Sequence, residues 1–299
     1  MRSFFCTFPL EAKAMARSFM LLALAVAVVG CAPVDNTAST ASASPAASTA
    51  CTKEQLKLLN PGKLTIGTDK PAFEPWFKND DPANGQGFES AVAFAVAGEL
   101  GFDRSEVQWA TVKFDSAFAP GEKQFDFDIN QVSITPQRAE AVDFSKGYYT
   151  VKQAVVAVEG GKYAEAKTLA ELKNAKIGVQ VGTTSLAAVQ GIIKPTAEPN
   201  VYNEQIDAVN ALKNNQVDAL VVDLPTAFYV TAAQVENSKI VGQFSSTGGA
   251  PEEFGLVMEK GSPLKPCVDK AVDALKSKGE LAKIEQQWLG SAAGAPELK

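Results

Sequence analysis

The sequence predicts an α/β fold arranged as two lobes. Three observations lead there. Beyond an apolar leader and a low-complexity stretch, roughly 250 residues remain, long for one core and comfortable for two. Short apolar runs of strand length alternate with stretches of helical spacing, the pattern of a mostly parallel sheet covered by helices. The alternation begins again after "KQAVVAVE", which gives two cycles of it.

Each element follows from local chemistry. "GKLTIGTD" (62–69) reads as a turn and a short buried strand ending at Asp69. "KPAFEPWFKNDDPANGQG" is loop and turn, rich in Pro, Gly and Asn. Its "NDDPANGQG" clusters carboxylates and amides, but it lacks the spacing and the bidentate Glu of an EF-hand and reads as a solvated turn. "FESAVAFAVAGELGF" is a helix, with Val92, Val96 and Leu100 about a turn apart and Gly101 as its stop. Then come the strand "EVQWATV", the short segment "FDSAFAPGEKQ", the strand "FDFDINQVSIT" and the helix start "TPQRAEAV". In the second cycle, "AKIGVQVGTTSLAAVQGI" reads as strand, glycine turn and helix, and "IDAVNALKNNQVDALVVDLPTAFYVTAAQ" as helix, strand, turn and helix. "EEFGLVMEKG" is a last strand. In 266–289, Val268, Val272, Leu275, Leu281, Ile284 and Trp288 share one core-facing side, with Gly279 between two helical pieces. "KQFDFDIN" and "NNQVDALVVD" echo each other, an aspartate at the front of a strand and a polar residue at its far end. Each lobe would thus present strand ends to a shared crevice.

The N-terminal region is of another kind. "MARSFMLLALAVAVVGC" has a positive start, an apolar run over 19–29 too short to span a bilayer comfortably, and a small residue before a cysteine. Val28-Val29-Gly30-Cys31 resembles the lipobox of bacterial lipoproteins, which implies a signal peptide over 1–30 and a lipid-bearing Cys31; an ordinary secretory signal is the alternative. Met15 is a second candidate start, which would leave Cys6 untranslated. "APVDNTASTASASPAASTA" cannot bury enough apolar surface to order itself, so 31–50 is expected to be a tether. As a flexible coil it would reach on the order of 25 Å.

Composition narrows the partners. Removing 1–30 takes away Arg2, Lys13, Arg17 and Glu11 and moves the net charge from −6 to −8. An acidic body without a basic run argues against nucleic acid. With Cys6 and Cys31 set aside, Cys51 and Cys267 are expected to form a disulfide, two free thiols being the alternative. Histidine is absent from the whole chain, which removes His-based triads and nearly all ordinary zinc sites. No cofactor or metal is expected.

The polar residues at strand ends carry the functional reading. "NQVSITPQR" gathers Asn130, Gln131, Ser133 and Arg138 where a strand runs out. A guanidinium beside a helix start can grip a carboxylate bidentately. In "VGTTS", Gly182 lets the backbone approach, and Thr183 and Thr184 cap a helix whose N–H groups and hydroxyls suit the same carboxylate. Asp223 ends the strand "ALVVD" with a negative charge suited to an ammonium. Taken singly these are a surface ion pair, an N-cap and a turn residue. Together they describe a site for a free α-amino acid.

The chain resembles the extracellular solute-binding proteins of ABC-type amino-acid importers, family 3, over about 62–290. The resemblance rests on "LTIGTD", "GFES" in place of Gly-Phe-Asp, "VSITPQRAEAVDFSKGYY", "VGTTS", "QVDALVVD" and "GELAKIEQQWLG", in order and at family spacing. It implies a type II periplasmic-binding-protein-like fold, two α/β lobes joined by two crossing strands that close like a trap. The lobes would be 51–153 with 248–299, and 154–247. It implies that Arg138, helped by Thr183 and Thr184, binds the ligand carboxylate, and that Asp223, with Ser133 and the backbone around Asn130, Gln131 and Val132, binds the ammonium. Phe73 and Trp76 would be ligand-facing aromatics, and Asp69 with Glu74 hints at a polar or cationic ligand. Asn130-Gln131 stands where smaller residues are commoner, and Asp128 where the family is usually apolar.

The expected protein is a monomeric binding lipoprotein outside the cytoplasm, anchored at Cys31, that passes an amino acid to a membrane permease and its ATPase. Two rivals stand beside it. One is an arogenate- or prephenate-type dehydratase on the same scaffold, with Glu74 or Glu89 as acid or base. The other is a sensory surface lipoprotein without a permease.

Overall fold

The first sheet is laid down by β1 (Leu64–Thr68), β2 (Val107–Thr111), β3 (Phe127–Asp128) and β4 (Val142–Phe144), with α1 (Phe88–Glu99), α2 (Phe114–Ala117) and α3 (Pro136–Ala141) between them. The computed structural model describes residues 51–246, 251–290 and 294–299; the signal peptide, Cys31 and the tether expected over 1–50 lie outside the described residues. β5 (Tyr149–Val151) leaves the first sheet, and β6 (Gln153–Val158) opens a second. That sheet continues with β7 (Ile177–Gln180), α4 (Thr184–Ala188), β8 (Asn200–Tyr202), α5 (Gln205–Lys213), β9 (Ala219–Asp223), α6 (Leu224–Tyr229) and β10 (Ser238–Phe244). The chain returns through β11 (Glu252–Phe254) and β12 (Val257–Glu259) to α7 (Lys265–Ser277) and α8 (Glu280–Leu289).

The strand orders are β2-β1-β3-β12-β4 and β10-β6-β9-β7-β8, with β11 and β5 paired apart as a two-stranded ribbon. Both large sheets are mixed, where the alternation of strands and helices predicts mostly parallel ones. β1 runs parallel to β2 and β3, but β12, arriving from the other lobe, runs antiparallel to β3 and β4. In the second sheet β6, entering from the first lobe, is antiparallel to both β9 and β10. Each strand that enters or leaves by a crossing thus breaks the parallel run. Strand lengths also depart from the sequence reading. "FDFDINQVSIT" keeps only Phe127–Asp128 as strand, because Gln131 takes a left-handed backbone, φ 50°, and turns the chain out of the sheet. "EEFGLVMEKG" splits into β11, which pairs with β5, and β12, which joins the first sheet.

The helical predictions meet the core as their spacing requires. Val92, Val96 and Leu100 of α1 and its end pack with Val268, Val272 and Leu275 of α7 and Leu281 and Ile284 of α8 over one face of the first sheet. At about 1.5–3 kcal/mol for each large aliphatic fully buried, this layer is the main hold on that lobe. Gly279 sits at φ 68°, a left-handed corner that an L side chain rarely takes, and so separates α7 from α8. Cys51 and Cys267 are joined in a disulfide that closes 216 residues of sequence and ties the start of the described body to α7. The loop-entropy model gives such a bridge a ceiling of roughly 5 kcal/mol. No helix among the described residues is long and apolar enough to cross a membrane.

The internal echo in the sequence has a structural counterpart. Asp126, just before β3, accepts from the backbone N–H of Leu59 and Thr65, both at 2.7 Å, and donates its own N–H to the Thr65 carbonyl. Asp218, just before β9, accepts from Lys176 N–H at 2.8 Å and donates to the Lys176 carbonyl. The two front aspartates staple neighbouring strands together, one in each sheet. The last residues depart from the expected boundaries: Leu298 packs in the second sheet's core and donates its N–H to the Gln243 carbonyl of β10, whose N–H goes to the Pro296 carbonyl, although 248–299 is expected in the first lobe.

Candidate functional site

Between the sheets lies a cavity whose walls come from both. Asp69 follows β1, Phe73 follows it in the loop, and Asn130, Gln131 and Arg138 follow β3; these are the first lobe's share. Thr183 and Thr184 follow β7 and Asp223 ends β9, on the second lobe. The open ends of two sheets therefore face each other.

Arg138 is fixed from several sides. Thr135 caps α3 by accepting from the Arg138 N–H at 3.2 Å. The guanidinium donates to the Ser133 carbonyl at 2.8 Å and, across the cavity, to the Gly182 carbonyl at 2.9 Å. Its carbon lies 4.2 Å from the centre of the Phe118 ring and 5.6 Å from that of Phe114, a cation–π seat. Burial lowers its pKa to about 10 against the opposing pull of Glu252 and Asp223, so the group stays charged at neutral pH.

Asp223 faces Arg138 across the cleft. Its Oδ1 accepts from the Gln153 side-chain amide at 2.7 Å. Burial, reinforced by the charge of Glu252, pushes its pKa up to about 8, so an approaching cation gains a carboxylate that is costly to ionise alone. Asp69 accepts from the N–H groups of Lys70 at 2.7 Å and Phe114 at 3.1 Å. Burial raises its pKa, and Glu204, which also lines the cavity, adds to the rise. At the rim Lys113 of the first lobe lies 3.7 Å from Glu204 of the second.

The remaining expected residues divide. Thr183 lines the cavity, but its hydroxyl accepts from Leu186 N–H and donates to the Gln180 carbonyl, so it is committed to capping α4. Gln131 turns its side-chain amide down onto Glu89, which also takes its backbone N–H at 2.7 Å and the Tyr148 hydroxyl. Trp76 is not on the wall: it is 1% exposed, ringed edge-on by Phe88, Tyr149 and Phe254, with its indole N–H on Thr226. The Pro-rich loop sets Phe73 outward and Trp76 inward. Val132 is fully buried beside Val142, Phe144 and Val257. Ser133 is buried behind the wall and donates to Glu252 at 2.5 Å. Glu89, one acid of the dehydratase reading, is fully buried beneath the cavity; burial raises its pKa to about 7 against the hydrogen bonds it accepts. Sequence reasoning missed Phe114, Phe118, Glu204, Gln153 and Glu252. Their signal is spatial, since each is brought in by the short helix α2, a loop or a crossing segment outside the motifs.

Two α/β lobes enclosing a cleft with a cation on one side and a carboxylate on the other define a solute-binding protein. Residues 64–291 match the model of the bacterial extracellular solute-binding proteins, family 3, and the chain belongs to that family. Among its relatives, a probable histidine-binding protein of Campylobacter jejuni is 30% identical over 219 residues, covering 72% of this chain and 80% of the relative. An L-cystine-binding protein of Escherichia coli K12 is 27% identical, over 79% of this chain and 85% of its own. A solved ancestral arginine-binding protein bound to glutamine superposes with a TM-score of 0.65 at 32% identity, covering 77% of this chain and 98% of that one. The fold is thus the two-lobed type II arrangement, and the protein is a binder rather than an enzyme.

Proposed function

We propose that this protein captures a free amino acid with a cationic side chain by closing its lobes, and delivers it to a membrane permease driven by an ATPase. The observation that carries the reading is the charge balance of the cavity. Arg138 and Asp223 neutralise the carboxylate and ammonium poles of an amino acid, and Asp69 and Glu204 are left over on the wall. Lys113 at the rim offsets one of these two carboxylates, which leaves a net negative charge on the wall that favours a positive side chain. The named relatives are a probable histidine-binding protein and an L-cystine-binding protein, and solved neighbours include an ancestral arginine-binding protein bound to arginine, which supports an amino acid as the ligand.

In the conformation described, Arg138 reaches the Gly182 carbonyl across the cleft, and the enclosed space is about 50 Å³, room for a few waters at most. An amino acid enters only when the lobes part, and its carboxylate then takes over the Arg138 contact. A closed form that binds more tightly than the open one is what shifts the population. Micromolar affinity requires about 8 kcal/mol net, within reach of several charge-assisted hydrogen bonds at about 1.5–3 kcal/mol each.

The reading includes lobes near 51–153 with 251–290 and 154–246 with the last residues 294–299, a monomer, and a lipid anchor at Cys31 holding the body outside the cytoplasmic membrane. Calorimetry of the purified protein against the common amino acids tests it. Arginine, lysine or ornithine should bind at least tenfold more tightly than glutamine or leucine. A protein that prefers neutral ligands would remove the role given to Asp69 and Glu204, and one that binds no amino acid would remove the reading itself.

A further inference from the structure

The ammonium end of the cavity is held from behind by two residues that the sequence motifs do not contain. Gln153, the first residue of β6, is fully buried. Its amide nitrogen donates to Asp223 Oδ1 at 2.7 Å and to Glu252 Oε2 at 3.3 Å, and its oxygen accepts from Ser185 Oγ at 2.6 Å. Glu252, the first residue of β11, accepts from Ser133 Oγ at 2.5 Å and from the Ser246 hydroxyl. Because the Ser133 proton is committed to Glu252, Ser133 is the acceptor in its 3.4 Å contact with Thr184 Oγ1. A continuous chain of hydrogen bonds results. It runs from Thr184 in the second lobe through Ser133 in the first, then through Glu252 and Gln153 on the two crossing segments, and back to Asp223.

We propose that Gln153 and Glu252 are positioning residues of the amino-acid site, Gln153 holding Asp223 by one oxygen so that the other is aimed at the ligand ammonium, and Glu252 fixing Gln153 and Ser133. This rests on the amino-acid reading above. The chain closes only when Thr184 and Ser133 meet, so the geometry of the ammonium acceptor and the closure of the lobes are set by the same side chains. A carboxylate orientated in advance loses less entropy on binding than a free rotor. The charged groups acting on Asp223 are Glu252, Arg138 and Glu89. Since burial and Glu252 together hold Asp223 near pKa 8, ligand ammonium arriving at pH 7 ionises it and releases a proton.

The test uses the full chain, wild type, Gln153→Leu and Glu252→Gln, with L-arginine and its 2-hydroxy analogue, which keeps the carboxylate and side chain but lacks the ammonium. Gln153→Leu should weaken L-arginine by about tenfold or more and the 2-hydroxy analogue by less than twofold. Its effect should largely vanish in an Asp223→Asn background, because the two changes act on one contact. Glu252→Gln should lower the number of protons released on L-arginine binding, read from calorimetry in buffers of different ionisation enthalpy. Variants that lose both ligands alike have lost structure instead of a positioning contact, and that result overturns the inference, as does wild-type affinity in Gln153→Leu. Failure of wild type to bind any amino acid overturns the functional reading first.

Discussion

The indole N–H of Trp76 donates to the Thr226 hydroxyl at 3.0 Å, a buried hydrogen bond that joins the first lobe's aromatic cluster to α6 of the second. Neither residue lines the cavity, yet the contact spans the lobes. Trp76→Phe keeps most of the apolar packing and removes the donor, leaving the Thr226 oxygen without it. At about 1 kcal/mol for a neutral hydrogen bond, the closed form should lose roughly fivefold in population, and ligand affinity should fall by a similar factor. Thr226→Val should do the same. Isothermal calorimetry of both variants and of the double mutant, which should be no weaker than either single one, checks this.

On the proposed function, Arg138 grips the ligand carboxylate. Its replacement by alanine removes two carbonyl contacts and the ligand grip together, and binding should drop by at least a hundredfold. Lysine at this position should not restore it. An ammonium lacks the fork that serves the Ser133 carbonyl and a carboxylate at once, and it does not stack on Phe118 in the same way. Equilibrium binding of both variants decides the point.

Glu89 makes stability depend on pH in the opposite sense to a salt-bridged carboxylate. Its pKa in the folded chain is raised to about 7 from 4.5, chiefly by burial. Below pH 4.5 it is protonated whether folded or not, and its burial costs little. Between about 4.5 and 7 the unfolded chain gives up the proton while the folded one keeps it, so stability falls as pH rises. Asp223, raised to about 8 from 3.8, adds a limb of the same sign. The melting temperature should therefore decline from pH 5 to pH 8, and Glu89→Gln should flatten the part below about pH 7. Thermal scans across that range are the measurement.

Asp128 is fully buried in β3, and neither of its oxygens has a hydrogen-bond partner. Burial pushes its pKa well up, with Glu89 and Asp69 adding to the rise. Its Oδ2 would lie 2.7 Å from a Cβ added at Gly67, which is why the neighbouring strand carries a glycine there. Asp128→Leu should stabilise the protein by about 1–3 kcal/mol, the order of the cost of an unsatisfied buried polar group. A rise in the denaturant midpoint at unchanged slope would show it. Gly67→Ala should act in the reverse direction.

What could be read beforehand depended on how local its cause was. The alternation that marks β1, α1, β7 and β9 is written in consecutive residues and was legible. So was the amphipathic pair α7 and α8, whose break at Gly279 is a matter of one glycine's φ. Arg138, Thr184 and Asp223, which the structure brings to one cavity, could be singled out because Asp223 ends a strand and the other two stand at helix starts that follow one. Trp76 was misplaced since direction within a Pro-rich loop has no period to follow. The strand around Gln131 was overextended because its left-handed turn is stabilised by Glu89, 42 residues away. Gln153 and Glu252 were invisible for the same reason, 99 residues apart and brought together only by the two crossings.

The Cys51–Cys267 bridge determines where mechanical load travels. Cys267 belongs to α7, and α7 packs with α1 on the first sheet, so tension arriving at residue 51 is delivered covalently into that lobe. Among the described residues no disulfide ties residue 51 to the second lobe. If the cleft opens as proposed and the leading end of the chain is anchored, the half carrying Arg138 would stay with the anchor while the half carrying Asp223 swings.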